Sequence, residues 1–289
     1  MAVIPGRFEK MKTSASPYAD PNGQAFLAVL QDATLEAGRV IMKHYDNGCA
    51  VHSKKDQSPV TEADHAAEAV ILSALRTLAP DIPVVAEEEA AAGRLPAHLG
   101  RRFLLIDPLD GTREFLLRDG DFTVNIALIE DGLPILGLVY APVRNLLYFG
   151  NAQGAWEAIT SANHQIQSQR PIKARIAPPE RVVVCSRSHV TPETEQFLKA
   201  NNIGNSVSVG SSLKFCMIAR GDADLYPRFG PTMEWDTAAG DAILRAAGGM
   251  TTTFDARPLT YGQRSDGTVQ SFFNPDFVAY GAGLAPNFI

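Results

Sequence analysis

Cysteine is scarce: the three residues Cys49, Cys185 and Cys216 are odd in number and far apart. No CxxC and no Cys/His spacing suits a metal, so neither a disulfide framework nor a zinc module is indicated. Reduced thiols in a cytosolic protein are expected. Basic residues are not in excess either: the formal net charge of −6 argues against a nucleic-acid polymer as partner. A small anionic substrate stays allowed, because bound metal ions oppose the global field locally. No apolar run approaches a membrane span, and the N-terminus has no apolar signal-peptide region. Walker A, a dinucleotide fingerprint, HExxH and GxSxG are all missing, which removes the usual nucleotide-loop, zinc-protease and serine-hydrolase readings. Repeats and low-complexity tracts are absent as well. What remains is a 289-residue chain of ordinary apolar content, long enough to bury a large core as one α/β unit or as two halves.

The chain is organised around Phe103-Leu104-Leu105-Ile106-Asp107-Pro108-Leu109-Asp110-Gly111-Thr112. A buried apolar strand delivers two carboxylates to a tight turn, and a helix starts at the Gly-Thr pair. Two ionised acids this close repel unless a cation lies between them. The amides of Gly111 and Thr112 offer donors to an anion. Carboxylates for a hard cation beside amides for a phosphate point to metal-assisted phosphoryl hydrolysis.

Earlier in the chain, residues 1–20, with Pro5, Gly6 and Pro17, read as a loosely ordered arm. Apolar spacing predicts an amphipathic helix from Gln24 to Tyr45 and a second one after Thr61. Thr61 and Asp64 have the form of a capping box, so Asp64 reads equally as a cap or as a site acid. A short strand, Val84-Val85-Ala86, empties into Glu87-Glu88-Glu89. Solvated turn and acid cluster stay open for that triplet, although two parallel strands ending in acids make the usual ligand position of an open sheet.

Later, Phe122–Ile129, the Asp131-Gly132 turn signal, Ile135–Tyr140, Leu146–Phe149 and Ala155–Ala158 predict an antiparallel meander. The polar stretch 161–169 reads as a connection, dividing the chain into halves at 21–165 and 166–289. In the second half a strand at 182–184, a helix around Phe197, a strand at 207–209 and a buried helix from Leu213 follow. Lys214 is either a snorkelling lysine or an anion ligand. The helix near Glu234–Ala247 leaves Asp236 as a cap or a site acid. Nothing in the tail from Phe254 is singled out.

Taken together, Glu87-Glu88, Asp107-Pro108-Leu109-Asp110-Gly111-Thr112 and Trp235-Asp236-Thr237-Ala238-Ala239-Gly240 resemble the lithium-sensitive, magnesium-dependent phosphatases, which include inositol monophosphatases and fructose-bisphosphatases. The resemblance covers roughly residues 24–285 and implies an α/β, five-layer αβαβα sandwich. Gly120–Ala127, Ser186-Arg187-Ser188-His189, Gly210–Cys216 and Tyr226–Gly230 are similar to one branch, the bacterial CysQ-type 3′(2′),5′-bisphosphate nucleotidases. That likeness implies removal of the 3′-phosphate from 3′-phosphoadenosine 5′-phosphate to give AMP, in sulfur assimilation. Inositol phosphates or fructose 1,6-bisphosphate are the alternative substrates.

By the same likeness, Glu87, Asp107, Asp110, Asp236 and the carbonyl of Leu109 would hold two or three Mg²⁺. Asp64 and Thr112 would activate water, with Glu87 also at the catalytic centre. Gly111 and Thr112 would hold the scissile phosphate. His189, Ser211, Lys214 and Arg228 would hold the nucleotide, and Glu88 would support Glu87 from behind. The implied location is the cytoplasm, with peripheral attachment to the inner membrane left open. Oligomeric state is not set by the sequence, and a homodimer stays open.

Overall fold

The computed structural model describes residues 23–53, 59–187, 191–262 and 268–284. In chain order the first half contains α1 (Gln24–Asn47), β1 (Val51–Ser53), β2 (Pro59–Thr61), α2 (Glu62–Leu78), β3 (Val84–Ala86), α3 (Glu87–Ala91), β4 (Arg102–Asp110) and α4 (Thr112–Leu116). The meander follows as β5 (Thr123–Glu130), β6 (Leu133–Ala141), β7 (Leu146–Asn151), β8 (Gly154–Thr160) and β9 (Ile166–Ile172). The remainder is β10 (Val182–Ser186), α5 (Pro192–Ala200), β11 (Asn205–Val209), α6 (Leu213–Ala219), β12 (Leu225–Arg228), α7 (Glu234–Ala246), β13 (Met250–Thr253) and β14 (Phe277–Tyr280).

These elements stack as the expected five layers. Helices α1 and α2 bury one side, including Phe26, Leu30, Ile41, Ile71 and Leu75, against the seven-stranded sheet β3-β4-β5-β6-β7-β8-β9. On the opposite face lie α6 and α7, sandwiched against the five-stranded sheet β11-β10-β12-β14-β13. Leu198 of α5 packs on the outer face of that second sheet. Gly137 of β6 lets α7 come close, since a Cβ there would sit 2.2 Å from the carbonyl oxygen of Ala239. The site is built where α7 meets the ends of the first sheet.

The structure corrects the reading of 161–169 as a connection. A turn occupies its start, but β9 begins at Ile166 and pairs antiparallel with β8, so the first sheet continues to Ile172. β9 is an edge strand whose residues 166–171 are all exposed, and it therefore lacks the apolar alternation that marks a half-buried strand. The expected start of the second half, residue 166, thus falls on the first sheet's edge strand. The 1–20 arm lies outside the described residues.

Candidate active site

Parallel pairing of β3 with β4 sets Ala86 beside Ile106, so the next residues, Glu87 and Asp107, emerge side by side. In a regular strand Asp107 and Asp110, three positions apart, would face opposite ways. The ladder with β5 instead shifts between these two residues, pairing Asp107 with Asn125 and Asp110 with Thr123. This bulge re-aims the strand end, as bulges beside functional sites do. The Asp107 carboxylate accepts the Leu109 amide at 3.0 Å, which tightens the Pro108 turn. Gly111 then turns at φ 92°, and a Cβ there would lie 3.1 Å from the carbonyl oxygen of Asp121. Only glycine suits that corner, and α4 starts at the next residue.

Asp64 forms the capping box that the sequence suggests. Its Oδ2 accepts the Thr61 amide at 2.8 Å and the Thr61 hydroxyl at 2.7 Å. Its Oδ1 faces the Thr112 hydroxyl at 3.3 Å, and that hydroxyl also lies 3.4 Å from the carbonyl of Leu109. Asp236 stands in the first turn of α7, where its Oδ2 takes the Met233 amide at 2.8 Å. It is therefore the third residue of the helix, capping from inside rather than occupying the cap position.

Asp110 is held mainly by the second half of the chain. Its Oδ2 accepts from the Ser211 hydroxyl (2.8 Å), the Ser212 amide (2.7 Å) and the Ser212 hydroxyl (3.1 Å). Ser211, expected on the nucleotide, thus spends its hydroxyl on Asp110 and on a close contact with Thr123. Lys214 is 5% exposed; it donates to the carbonyls of Ser211 and Val209 and lies 5.2 Å over the Tyr226 ring. Arg228 is 7% exposed and donates to the Pro231 carbonyl at 2.9 Å, while its Nε is buried with no acceptor. Glu88 is buried beside Glu87. His189 falls outside the described residues.

A cleft of about 280 Å³ joins these groups, with Glu87, Asp110, Thr112, Lys214, Arg228 and Asp236 on its walls. Burial, then repulsion from Glu87, Asp110 and Asp236, pushes the Asp107 carboxyl well above the usual range, and Glu87 is within hydrogen-bonding reach of it. Burial, then repulsion from Asp110 and Glu87, raises Asp236 likewise. Among the described residues no three such donors already close around one point at ligating distance. One oxygen each of Asp107, Asp110 and Asp236 is turned toward the amides and hydroxyls just named. The fit to a cation therefore rests on donor chemistry and mutual repulsion. A crowd of buried carboxylate oxygens with no nitrogen or sulfur among them suits a hard divalent ion.

The pattern that defines the inositol monophosphatase family matches residues 22–276. The chain belongs to that family. A 3′(2′),5′-bisphosphate nucleotidase CysQ from Escherichia coli O157:H7 is 49% identical over 243 residues, covering 83% of this chain and 94% of the relative. The CysQ of Buchnera aphidicola is 41% identical over 245 residues, 84% of this chain and 89% of its own. Among solved structures, CysQ from Bacteroides thetaiotaomicron, a bacterial member of the family, superposes with TM-score 0.74 at 35% identity. The match covers 91% of this chain and 99% of that one. The α/β fold is thus that of the inositol monophosphatase family, whose members generally depend on a metal.

Four residues that the sequence reading did not single out hold the family's acids in place. The Asn125 side-chain amide donates to Asp110 (3.3 Å) and to the Ser212 hydroxyl (2.9 Å). The Ser212 hydroxyl also reaches the carbonyl of Asp236 at 2.6 Å, linking the two acids. Asn274 pins the start of α7 through its side-chain amide. Glu68, on α2, grips the start of α3. The only signal available beforehand was polarity in otherwise apolar surroundings, as at Asn125 between Val124 and Ile126.

Proposed function

We propose that the chain is a Mg²⁺-dependent 3′(2′),5′-bisphosphate nucleotidase that hydrolyses 3′-phosphoadenosine 5′-phosphate to AMP and phosphate. The observation that carries the substrate is the pair of buried cations, Lys214 and Arg228, on the same cleft as the acids. Two cations buried on one cleft wall are costly without a counter-charge, and an anionic group in the cleft would supply it. A monophosphate would need only the amide end of the cleft, whereas a substrate with a second phosphate needs this second clamp. Between the two bisphosphates, the likeness to the CysQ nucleotidases favours the nucleotide over the sugar.

Glu87, Asp107, Asp110, Asp236 and the carbonyl of Leu109 would hold two or three Mg²⁺. The chemistry such ions supply when bound is a lowered pKa for water and charge stabilisation on the phosphate and the departing O3′. The protein's own groups do the rest. Asp64, with one oxygen tied to Thr61, offers the other to the Thr112 hydroxyl. As water attacks phosphorus and the P–O3′ bond breaks, the water would pass a proton to Thr112 Oγ1 while the Thr112 proton moves to Asp64 Oδ1, and the departing O3′ would take a proton from solvent. The amides of Gly111 and Thr112 would hold the scissile phosphate and Lys214, Arg228 and His189 the nucleotide end, while Ser211, its hydroxyl bound to Asp110, would steady that acid. Glu88 would support Glu87. Three free thiols, two of them buried, agree with a working place in the cytoplasm; a role in sulfur assimilation would follow from the nucleotide substrate alone.

The test is phosphate release with Mg²⁺ from 3′-phosphoadenosine 5′-phosphate, inositol 1-phosphate and fructose 1,6-bisphosphate side by side. A large kcat/KM preference for the nucleotide is expected. A preference for either sugar-type substrate would keep the acid cluster and remove the nucleotide assignment.

A further inference from the structure

Glu68 is a carboxylate with 4% exposure, one turn beyond Asp64 on α2. Its two oxygens accept separate backbone amides: Oε2 from Glu88 at 2.8 Å and Oε1 from Glu89 at 3.0 Å. Both amides belong to the first turn of α3, where helix N–H groups have no partner within the helix. The cap residue there is Ala86, whose side chain makes no capping bond. A residue twenty positions earlier therefore supplies what the local sequence lacks.

This arrangement is expensive as packing alone. A buried carboxylate has been set against three consecutive glutamates, with no cation among its hydrogen-bond partners. What it secures is the backbone direction at the residue where β3 becomes α3, and that residue is Glu87. We infer that Glu68 is a positioning residue, holding the amides of Glu88 and Glu89 so that the Glu87 carboxylate is aimed beside Asp107. The inference rests on the reading of Glu87 as a metal ligand. Because Mg²⁺ demands near-octahedral geometry, a small rotation of this turn weakens the ion's hold, and partners that orient ligands typically contribute 10–100-fold to metal affinity.

The experiment is equilibrium Mn²⁺ binding to the full chain, read by electron paramagnetic resonance without substrate, for wild type, E68A, E68Q and E62A. Hydrogen exchange of the 86–92 segment is measured alongside. E68Q is isosteric and keeps a carbonyl oxygen for one amide, whereas E68A keeps neither acceptor. Both remove the same charge, so their difference reports positioning. Expected are Mn²⁺ affinity roughly 10–100-fold weaker in E68A, a smaller loss in E68Q, and faster exchange at Glu88 and Glu89 in both. E62A, which removes an exposed charge from the same helix, should match wild type. Equal losses in E68Q and E68A, or unchanged affinity in E68A, overturn the inference and leave the metal site standing. If E68A does not fold, E68Q with wild-type affinity and exchange overturns it. A wild type that binds no Mn²⁺ sinks the metal reading itself and the role of Glu68 with it.

Discussion

Asp64 Oδ1 faces the hydroxyl of Thr112 at 3.3 Å across 48 residues of sequence. Its other oxygen is engaged by Thr61, so capping and the proposed catalytic role would use different atoms of one carboxylate. The helix cap fixes the side chain with Oδ1 toward Thr112, the oxygen that would take the proton in the proposed reaction. The two readings of Asp64 that the sequence leaves open are therefore compatible.

Asp64→Asn separates these duties. The amide oxygen must occupy the Thr61 side to accept the Thr61 amide, which turns an NH₂ toward Thr112. Capping survives, but nothing is left to take the proton. We expect kcat to fall by roughly 10²–10⁴-fold with a melting temperature close to wild type. Thr61→Ala should do the opposite, with about 1 kcal/mol of stability lost and a smaller drop in rate. Turnover and thermal melts on both variants check this; an Asp64→Asn protein of normal kcat would remove Asp64 from the chemistry.

Lys214 gives a pH dependence. Burial lowers its pKa from 10.5 to about 8, opposed by Asp110 and reinforced by Arg228. If the ammonium holds a substrate phosphate, KM for the nucleotide is flat below about pH 8 and rises above it. The stability effect has the other sign. Between about 8 and 10.5 the unfolded chain binds the extra proton, so folding stability contributed by this group increases as pH rises through that window. KM profiles for wild type and Lys214→Arg check the assignment, since the arginine should stay charged and flatten the rise.

Arg228→Ala tests the substrate more cleanly than Lys214→Ala. The lysine also holds the carbonyls of Val209 and Ser211, and through that loop it touches Asp110. One charge-assisted hydrogen bond is worth about 1.5–3 kcal/mol. kcat/KM for 3′-phosphoadenosine 5′-phosphate should therefore drop by about 10–100-fold, with inositol 1-phosphate little affected. Equal losses on both would strip Arg228 of its part in nucleotide recognition.

Much of this was legible in the chain because it is local. Helical spacing gave α1 and α2, the Asp131-Gly132 pair marked the β5–β6 turn, and each acid proposed as a ligand sits at a strand or helix end that apolar residues announce. The support for those acids was not legible because it is long-range. Glu68 acts on amides about twenty residues later, and Ser212 acts on a carboxylate 102 residues earlier. Each looks like an ordinary polar residue until the layers stack. β9 escaped for the opposite reason: an exposed edge strand needs no apolar face, so its sequence reads as a loop.

Asn274 carries the last prediction. Its side-chain amide has two protons and three acceptors in reach, the Met233 carbonyl at 2.8 Å and the hydroxyls of Thr232 and Thr237 at 3.1 Å each. Its backbone amide donates to the Thr232 carbonyl at 2.8 Å. The tail of the chain thus clamps the turn that launches α7, two residues before Asp236. In Asn274→Ala the Met233 carbonyl still receives the Asp236 amide, so the fold should lose only about 1–2 kcal/mol. The aim of Asp236 should suffer more, raising the Mg²⁺ concentration for half-maximal activity by about 10-fold while KM for the nucleotide at saturating Mg²⁺ stays near wild type. Asn274→Asp should be worse, because its carboxylate cannot donate to the Met233 carbonyl and adds a negative charge near Asp236. Activity against Mg²⁺ concentration, with thermal melts in parallel, decides it. A lowered melting temperature with an unchanged Mg²⁺ requirement would make Asn274 a support of the fold alone.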